Sequence, residues 1–154
     1  MTGIIDFHTH AFPDQLAPRA MQALAEAGGT RAYLDGTISG LLASMDRAGI
    51  EKSVVCSIAT RPSQFDRILA WSLAIRPPRI VPFPSVHPAD PLAVEGVARV
   101  AAEGLKGIKL HPYYQDFDID ADRLFPLYEA ACRGGLVICM HCGFDMAFHF
   151  VDRA

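Results

Sequence analysis

The amino-acid sequence predicts an α/β fold in which parallel strands alternate with helices. Short apolar runs of strand length recur along the chain, and stretches with apolar residues at helical spacing lie between them. Most of the strand runs are apolar at nearly every position, which is typical of strands covered on both faces by helices.

Strand and helix segments follow this alternation from the N-terminus onward. Strands are predicted at 3–8, 52–59, 79–86, 105–110 and 136–141. Helices are predicted at 16–27, 37–48, 63–76, 91–103 and 123–133. Gly49 and Gly104 lie at the ends of two helices, and Pro77 and Pro78 end the helix at 63–76, because proline cannot continue it.

The length of the chain limits how much of a barrel it can encode. It has 154 residues, whereas a closed (β/α)₈ barrel takes about 250. We therefore expect about five parallel βα units, forming either a complete open sheet or the first part of a barrel. The last residues, 148–154, carry no helix stop, so we expect the chain to end within a loop.

Composition and charge argue against several classes of function. Lys and Arg number 14 against 17 Asp and Glu, for a net charge of −3, which disfavours nucleic-acid binding and a polybasic membrane signal. Hydrophobic residues make up 51% of the chain, which is typical of a folded domain. Without a signal-peptide pattern or a disulfide framework, we expect a cytoplasmic protein with reduced thiols.

Two histidines follow one another at the end of the first predicted strand. The segment reads DFHTH, and His8 and His10 share a face because residues two apart in a strand point the same way. Two imidazoles at that spacing can converge on one metal ion, and the carboxyl edge of parallel strands is where α/β folds place functional sites. Two loop histidines without a ligand role are the alternative.

The fifth predicted strand also ends in a histidine. His141 could face the same edge as the first pair, or it could only form a hydrogen bond at the strand end. Cys139 and Cys142 flank this position, but structural zinc usually needs two such pairs.

On the fourth strand, Lys109 and His111 share one face, opposite Ile108 and Leu110. A buried lysine is costly unless it is paired or modified. Lys109 could therefore bind a substrate carboxylate, carry a carbamate, or pair with a carboxylate such as that of Asp6.

Three further residues are candidates for substrate binding at the same edge. Arg61 follows the second strand, His87 ends the third, and Tyr113 follows the fourth. An anionic or aromatic small molecule would suit these side chains, although structural or surface roles are equally consistent with their positions. The chain contains no P-loop, no G-x-G-x-x-G and no G-x-S-x-G motif.

Three segments together resemble the amidohydrolase superfamily. They are DFHTH in the first strand, GLKGIKLHPYYQDFD around the fourth, and MHCGFD at the end of the fifth. The similarity is closer to the amidohydrolase-related branch, which includes decarboxylases of the aminocarboxymuconate-semialdehyde type, and it extends over essentially the whole chain. It implies a partial TIM (β/α)₈-type barrel with one or two divalent metals, zinc being the expected one. Residues 1–154 would form a single amidohydrolase-related domain, the N-terminal portion of that barrel and incomplete at the C-terminus.

The resemblance also implies roles for individual residues. His8, His10 and His141 match the family's metal ligands, and Lys109 is the nearest match to a lysine that is carbamylated in related branches. The family's sixth-strand histidine and eighth-strand aspartate have no counterpart in this chain, so the catalytic residue stays open among Lys109, His111 and Asp145.

The resemblance implies a metal-dependent hydrolase in which activated water attacks a carbon centre of a small molecule. A decarboxylase on the same scaffold is one alternative, and a fragment or split-barrel module that binds metal without turnover is another. The expected partners are a small-molecule substrate and either a second copy or a complementing chain, with no nucleic acid and no membrane.

Overall fold

A computed structural model of the protein describes residues 3–75, 78–145 and 147–148 as strands alternating with helices. The strands are β1 (Ile4–Thr9), β2 (Ile50–Cys56), β3 (Ile80–Phe83), β4 (Gly107–Leu110) and β5 (Val137–Met140). The helices are α1 (Ala17–Gly28), α2 (Ile38–Ala48), α3 (Phe65–Ala74), α4 (Ala93–Ala102), α5 (Pro112–Gln115) and α6 (Phe125–Arg133). The mixed α/β class with parallel strands is confirmed.

The strands of the described residues form two parallel sheets instead of one continuous sheet. Strands β1, β2 and β3 make the first sheet, and β4 and β5 make the second. At the junction, the Lys109 N–H donates to the Pro84 carbonyl oxygen at 2.8 Å. Pro82 and Pro84 have no N–H to donate, which limits the ladder between β3 and β4.

Several elements begin or end at prolines, at positions that differ from the predicted boundaries. Strand β3 ends at Phe83, immediately before Pro84, and not at residue 86. The predicted helix 63–76 is a 3₁₀ turn, Pro62–Gln64, followed by α3. Its predicted end at Arg76 and Pro77 lies outside the described residues, as do residues 149–154. Helix α5, which the sequence analysis did not predict, begins with Pro112 directly after β4.

The largest hydrophobic core lies between the second sheet and its covering helices. Ile108 and Leu110 of β4 are fully buried there, packed with Val97 and Val100 of α4 and Leu127 of α6. Burying each such side chain stabilises the fold by roughly 1.5–3 kcal/mol. Because Ile108 and Leu110 occupy the helix-facing side, Lys109 and His111 are turned to the opposite face of β4.

Strand β1 is the least covered strand of the described region. Ile4, Ile5 and Phe7 are 59%, 55% and 50% exposed. The strand pairs with β2 along one edge, and the Thr9 hydroxyl donates to the Val54 carbonyl oxygen at 2.8 Å, which fixes its carboxyl end beside β2. None of the helices in the described ranges is long and apolar enough to cross a membrane.

Candidate active site

Titratable side chains from three strand ends come together at the carboxyl edge of the sheets. Strand β1 and the residue after it contribute two side chains, β4 and the residue after it contribute two, and the segment after β5 contributes two. We call this group the mouth cluster, and it consists of His8, His10, Lys109, His111, His141 and Asp145.

The end of β1 and the residue that follows it place the His8 and His10 rings 5.0 Å apart, centroid to centroid. The Nδ1 atom of His10 lies 2.9 Å from the main-chain carbonyl oxygen of Cys56. A carbonyl oxygen only accepts, so Nδ1 carries the proton and donates it there. The Nε2 lone pair of His10 is therefore left free, which is the arrangement that orients metal-binding histidines.

Lys109 is fully buried at the centre of the cluster. Its Nζ donates to Nε2 of His8 at 3.1 Å and lies 4.0 Å from Sγ of Cys139. Among the described residues it forms no ion pair with a carboxylate, so the alternative in which Asp6 neutralises it is not observed there. A buried ammonium with only neutral partners is costly and favours an anionic ligand nearby.

The segment after β5 brings three further donors together. The His141 N–H donates to the Leu110 carbonyl oxygen at 3.1 Å, which extends the β4–β5 pairing and stacks the His141 ring on that of His111, 4.1 Å between centroids. Oδ2 of Asp145 lies 3.3 Å from Nε2 of His111 and 4.0 Å from Nε2 of His141.

Two nitrogens in this group are buried without a hydrogen-bond partner among the described residues: Nδ1 of His111 and Nε2 of His141. Buried polar atoms left in this way are uncommon, and an ion is one of the features that satisfies them. Imidazole nitrogens beside a carboxylate are the donors that zinc and other divalent metals take in proteins. The residues present therefore fit the metal that the family implies.

Desolvation lowers the pKa of three histidines of the cluster, His8, His10 and His111. Burial first, and then the neighbouring His141 and Lys109, lower the pKa of His111 to about 3. Loss of hydration also lowers the pKa of His10 to about 4, although part of this side chain stays exposed. The pKa of His8 is lowered by burial first and then by Lys109 and His141. Neutral imidazole is the form that ligates metals.

Two groups of donor atoms are close enough to hold an ion in the described part of the chain. In each, three atoms lie within 4.8 Å of one another: one from each of His111, His141 and Asp145, and one from each of His8, Cys56 and Cys139. The predicted set of His8, His10 and His141 takes one residue from each group and adds His10. That assignment stays a prediction.

The structure places the three candidate substrate-binding residues differently. Tyr113 is buried, with its ring centroid 5.9 Å from that of His141. Within the described part of the chain its hydroxyl has no hydrogen-bond partner. His87 is buried in a turn, where its Nδ1 accepts from the Ala89 N–H at 3.1 Å and its charged neighbours are Asp90, Arg123 and Asp116.

Arg61 is exposed, and its main-chain N–H donates to Oε1 of Gln64 at 3.0 Å. A substrate contact for Tyr113, His87 or Arg61 stays a prediction.

Gln115 is the residue that the sequence analysis missed. Its Oε1 accepts from the His111 N–H at 2.8 Å. Its Nε2 lies within hydrogen-bond distance of the Ala59 and Val86 carbonyl oxygens and of the Ser85 hydroxyl, at 3.0, 2.8 and 3.2 Å. One side chain thus joins the ends of β2, β3 and β4 and fixes the main chain of His111. A glutamine inside the aromatic segment HPYYQDF was the only sequence signal for it.

Comparison with known proteins identifies the class of protein that this fold and site define. Residues 5–154 match the model of the Amidohydrolase family, and the chain belongs to that family. None of the curated proteins matches the chain in sequence.

Several solved structures share the fold. They include the apo form of IDCase from Metarhizium anisopliae, with TM-score 0.66 and 17% identity over 91% of this chain and 50% of that one. Another is 5-carboxyvanillate decarboxylase LigW from Sphingomonas paucimobilis, with TM-score 0.64 and 18% identity over 92% and 52%.

A third is the related decarboxylase from Novosphingobium aromaticivorans with bound manganese, with TM-score 0.69 and 16% identity over 91% and 51%. The chain therefore spans about half the length of these structures.

Proposed function

We propose that this chain forms the N-terminal half of a (β/α)₈-type barrel and carries the metal-binding part of a metal-dependent hydrolase that acts on a small molecule. The observation that carries the proposal is the mouth cluster itself. Imidazoles from three strand ends meet beside one carboxylate and one buried ammonium. Apolar side chains would fill the same space at a lower desolvation cost, so packing alone does not explain this cluster.

The metal ligands in this proposal are His8, His10 and His141. The His10 tautomer set by the Cys56 carbonyl oxygen and the unpartnered Nε2 of His141 support it. When bound, a divalent metal supplies Lewis-acid polarisation of a substrate oxygen and of water. Zinc is the proposed metal. Manganese is the second metal to test, because one of the solved relatives contains it.

Asp145 is the proposed proton acceptor. Its Oδ2 lies 3.3 Å from Nε2 of His111, and Nδ1 of the same ring has no partner among the described residues. The carboxylate can take a proton from attacking water at Oδ2 and return it to the leaving group. Tyr113, packed at the edge of the His141 ring, excludes water from this side of the cluster.

A decarboxylase is the second candidate, and Lys109 is the observation that favours it. Its buried ammonium lacks a carboxylate partner among the described residues and lies beside His8. A substrate carboxylate would supply the missing counter-charge. Two of the solved relatives are decarboxylases of an aromatic acid, 5-carboxyvanillate.

Metal titration tests the ligand assignment directly. His8→Ala, His10→Ala and His141→Ala are each expected to weaken zinc affinity by roughly tenfold or more, since loss of an outer-sphere partner alone costs that much. His87→Asn is the matched control, because this buried histidine lies in a separate turn. Wild-type affinity in all three alanine variants, with zinc and with manganese, would overturn the assignment.

A product assay separates the two reactions. The metal-loaded protein is incubated with ester, amide and aromatic carboxylate substrates in isotopically labelled water. Label incorporated into a carboxylate product indicates hydrolysis, and release of carbon dioxide indicates decarboxylation. Carbon dioxide release without label incorporation would replace the hydrolase proposal by the second candidate.

A further inference from the structure

Two cysteines from different sheets face each other beside the mouth cluster. Sγ of Cys56, at the end of β2, lies 3.8 Å from Sγ of Cys139 in β5, although the residues are 83 positions apart in the chain. Cys56 is buried and Cys139 is half-buried. A donor atom of His8 completes a group of three whose members lie within 4.8 Å of one another.

The distance between the two sulfurs matches that between two thiolate ligands of one metal ion. Two thiolates that are each about 2.3 Å from a tetrahedrally coordinated ion lie about 3.8 Å apart. A disulfide would require the sulfurs to be about 2.05 Å apart. The pair is therefore spaced as two ligands of one ion.

Lys109 lies beside this group of donor atoms. Its Nζ lies 4.0 Å from Sγ of Cys139 and 3.1 Å from Nε2 of His8. Two thiolate ligands and a neutral imidazole would balance the charge of a divalent cation held by the three residues.

We propose that His8, Cys56 and Cys139 form a metal site selective for thiolate-preferring cations of the zinc and cadmium class. Three protein ligands leave one coordination position open, which is the number found in zinc sites that exchange a water or ligand. Soft thiolate donors disfavour magnesium, calcium and manganese. The site therefore selects its cation through its sulfur donors, and it shares His8 with the mouth cluster.

Cadmium titration followed by ultraviolet absorption tests the site through its sulfur ligands. Sulfur-to-cadmium charge transfer should appear in the wild-type protein with the intensity of two thiolates per ion. Cys139→Ser is expected to lower the intensity by about half and to weaken cadmium binding by roughly tenfold or more. Cys56→Ser should do the same.

Cys132→Ser and Cys142→Ser are the matched controls, because both cysteines are exposed. Both should keep the wild-type band. Thiol alkylation mapped by mass spectrometry provides a second measurement in the unmodified protein, where cadmium should protect Cys139 and leave Cys132 and Cys142 reactive. The proposal is overturned if the wild type shows no thiolate band, if Cys139→Ser retains it in full, or if cadmium leaves Cys139 unprotected.

Discussion

Replacing Gln115 by methionine tests how the mouth cluster is held in place. The substitution keeps the length of the side chain but removes all of its hydrogen-bonding groups. In the structure, Gln115 accepts from the His111 N–H and reaches the Ala59 and Val86 carbonyl oxygens. Its side chain is 1% exposed, so water cannot take over these contacts without entering the core.

The expected loss follows from the groups that Gln115→Met leaves behind. A buried polar group without a partner costs roughly 1–3 kcal/mol, and three main-chain groups lose theirs. The Val86 carbonyl oxygen keeps the Ser85 hydroxyl at 3.4 Å, so its loss is smaller. We therefore expect the free energy of unfolding to fall by about 3–5 kcal/mol, a large part of the roughly 5–15 kcal/mol of a typical domain.

Urea unfolding followed by circular dichroism measures this loss. The midpoint should fall while the denaturant dependence stays unchanged, because the surface exposed on unfolding is nearly the same. Gln22→Met is the matched control, since Gln22 is exposed on α1 and its amide donates to Glu26. That variant should stay within about 0.5 kcal/mol of wild type. One unpaired buried group costs at least about 1 kcal/mol. The reasoning would be refuted if the free energy of unfolding of Gln115→Met fell less than about 1 kcal/mol below that of the control.

Three further predictions concern packing, acid stability and association. Gly107→Ala should destabilise the protein strongly in the same urea assay, because the added Cβ would lie 2.4 Å from the Phe83 ring and 2.5 Å from the Val137 carbonyl oxygen. Burial lowers the pKa of His87 below 6.5, so the unfolded chain binds that proton more readily and the free energy of unfolding falls as pH drops below 6.5. His87→Gln should show a shallower loss between neutral and acidic pH in parallel urea titrations. The isolated 154-residue chain should self-associate, because large apolar side chains of β1 are half or more exposed. Light scattering after size exclusion measures the mass, and the mass of one chain would contradict this prediction.

The fold could be predicted where local pattern alone decides the structure. Along β4, alternation separates Ile108 and Leu110 from Lys109, and the structure buries the apolar pair in the helix-covered core. The break between β3 and β4 was not predicted, although Pro82 and Pro84 carry its cause. A proline disrupts strand pairing only where its missing N–H would have faced a neighbouring strand. Which side of β3 has a neighbour depends on the tertiary fold, and local sequence does not specify it.

In the candidate site, too, local relations could be predicted from the sequence and long-range contacts could not. Two-residue periodicity brings His8 and His10 together, because that relation lies within one strand. The contact between Cys56 and Cys139 joins residues 83 positions apart on two sheets, and it depends on the register of both. The hydrogen bonds of Gln115 likewise need the ends of three strands at once. No spacing rule applied to the sequence carries such information.

Charge balance links the two proposed metal sites through Lys109. Its buried ammonium lies 3.1 Å from His8, the residue that both sites share, so a divalent cation at either position adds charge beside an existing cation. At the thiol pair, two thiolate ligands would supply the two negative charges needed. At the mouth, Asp145 is the acidic group beside the Lys109 ammonium, so a bound metal leaves the site net positive. Such a site gains most from an anionic substrate, and a carboxylate would meet both the metal and the ammonium.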